Sequence, residues 1–164
     1  MKQGTLSKFS LGVLAVFCFC ICLPLHTVKA SSLLEEKILT EEETNEDSSE
    51  DPNTPKERSN HLNLGNVRIT KQSANECSVF GLTQAYHVCD TLYLELSLEQ
   101  KNGSSYSTYK QWSFSGLSTS SLSRNINIIV PKNHYYRVKG YHAAKEGGTK
   151  ESTSTQTKGV WIGD

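Results

Sequence analysis

The chain has 164 residues, which allows one domain with extensions, and 17 basic and 17 acidic residues give it a formal net charge of zero. This balance hides an asymmetry, because nine acidic residues and a single lysine lie between Glu35 and Asp51, whereas the part from Asn60 onward has 11 basic residues against 7 acidic ones. So small and scattered a basic excess argues against a nucleic-acid partner, which requires a basic stripe on one face.

The first 30 residues have the three parts of a signal peptide. Two lysines are followed by the apolar stretch 11–25 (LGVLAVFCFCICLPL), and Val28 and Ala30 are small residues before a cleavage site. An uncleaved membrane anchor is the alternative, but the apolar stretch is shorter than the about 20 residues that usually span a membrane. We therefore expect residues 1–30 to be removed, the protein to be secreted or to lie at the extracellular cell surface, and no stable membrane insertion after cleavage.

Residues 31–60 are predicted to be a disordered acidic linker. After Leu39 the segment contains almost no apolar residues, so it cannot bury enough surface to offset the entropy of ordering. A cation-binding arm is the alternative, but acidic runs are usually solvated, and the spaced carboxylates of a calcium loop are missing from the sequence.

Residues 61–164 have the pattern of an all-β domain. In the stretch 91–100 (TLYLELSLEQ) four leucines alternate with other residues, which is typical of a sheet with one buried face. Turn residues such as Asn102-Gly103 and Gly147-Gly148 separate about seven such runs. The pattern predicts an immunoglobulin-like antiparallel β-sandwich, with a closed barrel as the main alternative.

Two cysteines remain after residue 30, Cys77 and Cys89, and an oxidising exterior favours a disulfide between them. If one straight strand joined these cysteines, they would lie about 40 Å apart. The bridge therefore requires a chain reversal near residues 81–84, and we expect both the reversal and the disulfide.

Several residues are candidates for catalysis or metal binding. Cys89 with His87 and Asp90 could supply a thiol nucleophile and a base, but catalytic partners normally come from distant parts of a sequence. No ligand spacing supports a metal site of His87, His142 and Asp90, and His142 is expected to be a core or rim residue that hydrogen-bonds a backbone group. We expect no catalytic residue, no cofactor and no metal.

An aromatic and basic surface is the best candidate for a binding face. Tyr135, Arg137 and Tyr141 share the outward face of one predicted strand, and Tyr93 lies on the outward face of another. Exposed aromatic residues and arginine mark binding surfaces. Ordinary cross-strand pairing on a solvated sheet is the alternative.

Short motifs are distributed over residues 66–162. They are Cys77, Thr83-Gln84-Ala85-Tyr86, Cys89-Asp90, the run LYLELSLEQ, Asn102-Gly103-Ser104, Trp112-Ser113-Phe114-Ser115, Tyr135-Tyr136-Arg137-Val138, His142 and residues 148–152. With these motifs the chain resembles a family of small secreted proteins of Gram-positive bacteria that is classed as a domain of unknown function. The resemblance implies a signal peptide and one small β-domain, and it supplies no activity, ligand or catalytic residue.

These observations favour a non-enzymatic extracellular binding or adhesion module, whose partner is a cell-envelope polymer, a glycan or a protein. The alternative is an extracellular carbohydrate-active or peptidase accessory enzyme with an unrecognised site, since a β-fold permits either. A pocket in which carboxylates, or His and Cys, converge would favour the enzyme.

Overall fold

A computed structural model of the protein describes residues 41–55 and 59–164, which fall within one unit of the chain. The predicted signal peptide, residues 1–30, lies outside the described residues, and no helix among those described is long and apolar enough to cross a membrane. The described strands are β1 (Glu43–Thr44), β2 (Ser48–Asn53), β3 (Leu62–Ser73), β4 (Glu76–Asn102), β5 (Ser105–Ile129), β6 (His134–Glu146), β7 (Thr149–Gln156) and β8 (Gly159–Ile162).

All eight strands belong to one sheet. Their order is β1-β8-β6-β4-β3-β2, with β5 paired to β4 and β7 paired to β6. The pairs are antiparallel except for β1 with β8, which are parallel. The predicted all-β fold is confirmed. The immunoglobulin-like sandwich is not confirmed, because the strands form one mixed sheet that curves into a nearly closed barrel.

Strand β4 is continuous over 27 residues and takes part in both halves of the barrel. Its first part pairs with β3 and its last part with β6, while β5 follows it along most of its length. The four leucines of its last part are at most 1% exposed, as the alternation predicts. Odd-numbered residues face the core in the first part and even-numbered ones in the last. The change follows a bulge between Gln84 and Cys89, where the register with β5 shifts.

Gly81 allows the two parts of β4 to face each other across the core. A Cβ atom at this position would lie 2.6 Å from Cδ2 of Leu96, so a larger residue would require this leucine side chain to shift. The chain reversal predicted near residues 81–84 is therefore wrong. The predicted disulfide is also wrong, because Cys77 and Cys89 lie far apart on this single strand and are both free thiols.

Strands β1 and β2 lie within residues 31–60, so the prediction of disorder does not hold for this part of the segment. The acidic side chains find partners elsewhere in the domain. Glu43 forms an ion pair with Lys101, and Oδ2 of Asp51 accepts a hydrogen bond from the backbone amide of Gln156 (2.6 Å). These partners are distant in sequence, so the composition of the segment alone does not indicate them.

Strand β2 meets β7 and the turn after it through side chains. Nδ2 of Asn53 donates to the carbonyl oxygen of Ser154 (2.9 Å), and Oγ of Ser49 accepts from the amide of Lys158 (2.9 Å). Together with the Asp51 bond, these contacts hold β2 against β7 and the turn after it, which nearly closes the barrel.

His142 fills the interior of the barrel. Its Nδ1 lies 3.0 Å from Oγ1 of Thr83 and its Nε2 lies 2.8 Å from Oγ1 of Thr155. A Cβ atom on Gly65 or on Gly140 would lie 2.5 Å from the imidazole, so both glycines make room for the ring. The expected core position of His142 is confirmed, but these two partners are threonine hydroxyl groups rather than a backbone group.

Truncation of Leu96 tests the packing of β4. We expect L96A to lower the free energy of unfolding by about 2–5 kcal/mol, because it opens a cavity in the core where Leu96 packs against Gly81. Leu117 is 76% exposed, so the matched variant L117A should change the free energy of unfolding by about 0.5 kcal/mol or less. Urea unfolding measures both values, and equal losses would contradict the burial of Leu96.

Acid should weaken the fold through His142. Burial lowers the pKa of this imidazole to about 4, against a smaller opposing effect of a backbone hydrogen bond at Leu82. The unfolded chain takes up the proton near pH 6.5 and the folded chain only near pH 4. The contribution of His142 to the stability of the fold is therefore complete above pH 6.5. As the pH falls toward 4, this contribution decreases by roughly 3 kcal/mol.

The variant H142Q isolates this effect, since glutamine can bond to both threonines without titrating in this range. We expect the urea midpoint of the wild type to fall more steeply than that of H142Q between pH 6.5 and pH 4. Parallel curves for the two proteins would show that His142 does not cause the pH dependence.

Candidate functional site

A groove of about 550 Å³ crosses the outer face of the sheet, where β5, β4, β6 and β7 lie side by side. Its volume is within the range of small-ligand pockets, about 300–1,000 Å³. The pairing of the four strands produces two rows of side chains along it, each with one residue from every strand. The rows are Gln111, Ser97, Lys139 and Gln156, and next to it Ser113, Glu95, Tyr141 and Ser154.

Most of the residues that line this groove have polar side chains. Its amide and hydroxyl groups can both donate and accept hydrogen bonds. Nζ of Lys139 lies 3.0 Å from Oε1 of Glu99, so much of its charge is balanced within the protein. Asp51, which reaches the groove from β2, already accepts the bond from the amide of Gln156, whereas Glu95 is exposed. The groove thus offers many neutral hydrogen-bonding groups and little net charge.

A stack of two tyrosines and a lysine adjoins the groove. Nζ of Lys150 lies 4.5 Å from the ring centroid of Tyr93 and 5.3 Å from that of Tyr141. Both tyrosines are half-buried and lie on the outer face, where the sequence places them. The attraction of the ammonium group to the two rings holds them in place beside the groove.

The other two residues of the predicted binding face, Tyr135 and Arg137, are each only 8% exposed, which corrects the prediction of a single open surface. Nε of Arg137 donates to Oε2 of Glu99 (2.7 Å), and its guanidinium carbon lies 4.0 Å from the ring centroid of Tyr106. The ring of Tyr135 packs against Trp161, with 5.1 Å between the centroids. Both residues lie on the outer face of the sheet, as predicted. Tyr106 and the segment around β1 cover this part of the face.

The thiol groups are not activated for nucleophilic attack. Burial raises the pKa of Cys89, and the carboxylates of Glu146, Glu151 and Asp90 raise it further. For Cys77, burial is again the main cause, and the pKa rises to about 12. A reactive cysteine needs the opposite shift, which exposes a thiolate at neutral pH.

Three side chains of the described residues could hold a metal ion, namely His61, His87 and Cys89. One donor atom from each lies within 4.8 Å of the other two. His142, a candidate ligand by its residue type, lies instead in the barrel interior between Thr83 and Thr155. His61 was missed because the long-range pairing of β3 with β4 brings it to the bulge, and no short ligand spacing in the sequence indicates that pairing.

The comparisons with known proteins identify a family but no characterised relative. No curated protein and no solved structure matches the chain. A family model described as "Family of unknown function (DUF6147)" matches residues 32–160, which include most of the barrel and the two strands of the acidic segment. The resemblance to a family of unknown function is thereby confirmed, and the chain belongs to the family DUF6147.

Proposed function

We propose that this protein is an extracellular, non-enzymatic binding module that holds a glycan in the groove across β5, β4, β6 and β7. The observation that carries the proposal is the groove itself, whose volume of about 550 Å³ can accommodate one or two sugar rings. The pattern of a signal peptide in residues 1–30 supports an extracellular location.

The chemistry of the lining favours a polyhydroxylated ligand. Sugar hydroxyl groups donate and accept hydrogen bonds at once, and the amides and hydroxyls of the two rows can do the same. Tyr141 adds the flat apolar face of a ring with a polar tip, which suits a ligand that has both apolar and polar surfaces. A strongly charged polymer would instead require an excess of charge of one sign, and Lys139 is already paired with Glu99.

The arrangement of carboxylates favours binding over hydrolysis. Glycoside hydrolases typically use two carboxyl groups on opposite sides of the scissile bond. The groove is lined by Glu95 and Asp51, but the carboxylate of Asp51 is held by the backbone amide of Gln156. A group fixed in this way orders the barrel and is poorly placed to transfer a proton.

A glycan array tests the proposal with the purified full-length protein. The array should include cell-envelope polysaccharides, peptidoglycan fragments and host glycans. We expect selective retention of at least one class, and we expect Y141A to weaken it about tenfold, as for the loss of one aromatic contact of roughly 1.4 kcal/mol.

The matched control is Y86A, because Tyr86 is 61% exposed and lies at the bulge of β4, outside the groove lining. Its affinity should equal that of the wild type. Equal losses in Y141A and Y86A, or no retention of any glycan, would contradict the proposal, and the appearance of shortened glycans would favour the enzyme instead.

A further inference from the structure

Two chain segments meet at the bulge of β4. The backbone amide of Tyr86 donates to the carbonyl oxygen of His61 (2.9 Å), which ties the residue before β3 to the bulge. His87 lies beside this contact, and Cys89 ends the bulge with 1% of its surface exposed. Two imidazoles and a thiol therefore converge in a partly open place at the surface.

The two imidazoles already face each other through nitrogen atoms. Nδ1 of His61 lies 3.0 Å from Nε2 of His87. Nδ1 of His87 lies 2.9 Å from the carbonyl oxygen of Val88, and only a protonated nitrogen can make that bond. The proton on Nδ1 leaves Nε2 of His87 with a lone pair that points toward His61. A carbonyl that fixes the tautomer of a histidine in this way is typical of metal ligands.

The thiol completes the set of donors. Sγ of Cys89 lies 4.0 Å from Nδ1 of His87, and it is 3.6 Å from the carbonyl oxygen of the same residue. Two imidazoles and a thiol are therefore the donor groups that this place offers.

Glu151 fixes the segment that carries His61. Its carboxylate accepts bonds from the hydroxyl of Ser59 and from the amides of Asn60, His61 and Leu62, the last three at 2.8–2.9 Å. These four hydrogen bonds hold His61 near the bulge, and Glu151 is not itself a ligand.

We propose that His61, His87 and Cys89 form a binding site for a zinc ion, with a fourth coordination position open to solvent. Histidine nitrogen and cysteine sulfur are the donors that zinc prefers, and three protein ligands with one open position are a common arrangement. No residue of this site lines the glycan groove, so the proposal is independent of the proposed function.

The distances require only a small adjustment on binding. In a tetrahedral zinc site with bonds of about 2.0–2.3 Å, neighbouring donor atoms lie roughly 3.3–3.6 Å apart. Nδ1 of His61 and Nε2 of His87 lie 3.0 Å apart, and one ring nitrogen of each histidine lies within 4.8 Å of the other and of Sγ of Cys89. His87 is exposed and can move by the remaining distance of about 1 Å without disturbing the core.

The protons balance in this reaction. Zinc replaces the thiol proton of Cys89, which is released to solvent, and a Zn–S bond forms. The proton between the imidazoles moves from Nδ1 to Nε2 of His61 through solvent, so both rings coordinate as neutral ligands. The metal thus takes the place of a hydrogen bond that already joins the two segments.

Metal titration of the reduced, chelator-treated full-length protein tests the site. By calorimetry we expect the wild type to bind one equivalent of Zn²⁺ more than H87A. This variant should lose affinity at the site by about a hundredfold or more, and it should stay folded because His87 is exposed. The matched control is H134A, since His134 begins β6 outside the cluster, and it should bind as the wild type does.

Substitution with Co²⁺ identifies the sulfur ligand. The wild type should show a thiolate-to-cobalt charge-transfer band that is absent from C89S, and the circular dichroism of C89S establishes that this variant is folded. Equal zinc uptake by the wild type and H87A, or a cobalt complex without the thiolate band, overturns the proposal.

Glu151 can be tested as a positioning residue. We expect E151Q to bind zinc about tenfold more weakly, because the loosened segment holds His61 less well, while the cobalt band keeps its shape. Unchanged affinity in E151Q overturns this positioning role.

Discussion

The close approach of β3 and β6 around one buried imidazole determines the rest of the barrel. His142 occupies the space that side chains at Gly65 and Gly140 would need, and Thr83 and Thr155 satisfy both of its nitrogens. Because β3 and β6 do not pair with each other, this contact across the interior sets the distance between the two halves. The same approach brings β2 close to β7, and these two strands form one side of the groove. It also brings β7 close to the segment before β3. Both candidate sites therefore depend on the packing inside the barrel.

The local features of the fold are readable from the sequence, whereas its long-range closure is not. Alternation of leucine correctly predicts the last part of β4, and the glycines of Asn102-Gly103 and Gly147-Gly148 do adopt the positive φ values that turns require. Gly81 leads to the wrong prediction of a chain reversal, because glycine occurs both in turns and at positions of close packing. The side chain that needs its space is Leu96, which is 15 positions away, so sequence spacing alone cannot separate the two roles.

The candidate sites illustrate the same limit. Alternation places Tyr135, Arg137 and Tyr141 on one outward face, which is correct, but outward is not the same as exposed. Tyr106, from the start of β5, covers Arg137 and leaves Tyr141 accessible. The convergence of His61 on the bulge likewise depends on the register of β3 with β4, which short-range patterns do not encode. Pairing between distant strands thus decides which residues can meet a ligand.

Side chains, rather than a continuous backbone ladder, join β2 to β7. The two walls of the groove therefore differ in how many backbone hydrogen bonds hold them. Strands β5, β4 and β6 are held by long ladders, but Asp51 reaches the groove from a six-residue strand that is paired along one edge to β3. Elements with few backbone bonds open locally before the whole domain unfolds. The position of the wall that carries Asp51 therefore depends on a few side-chain bonds to β7 and the turn after it, whereas backbone pairing fixes the opposite wall.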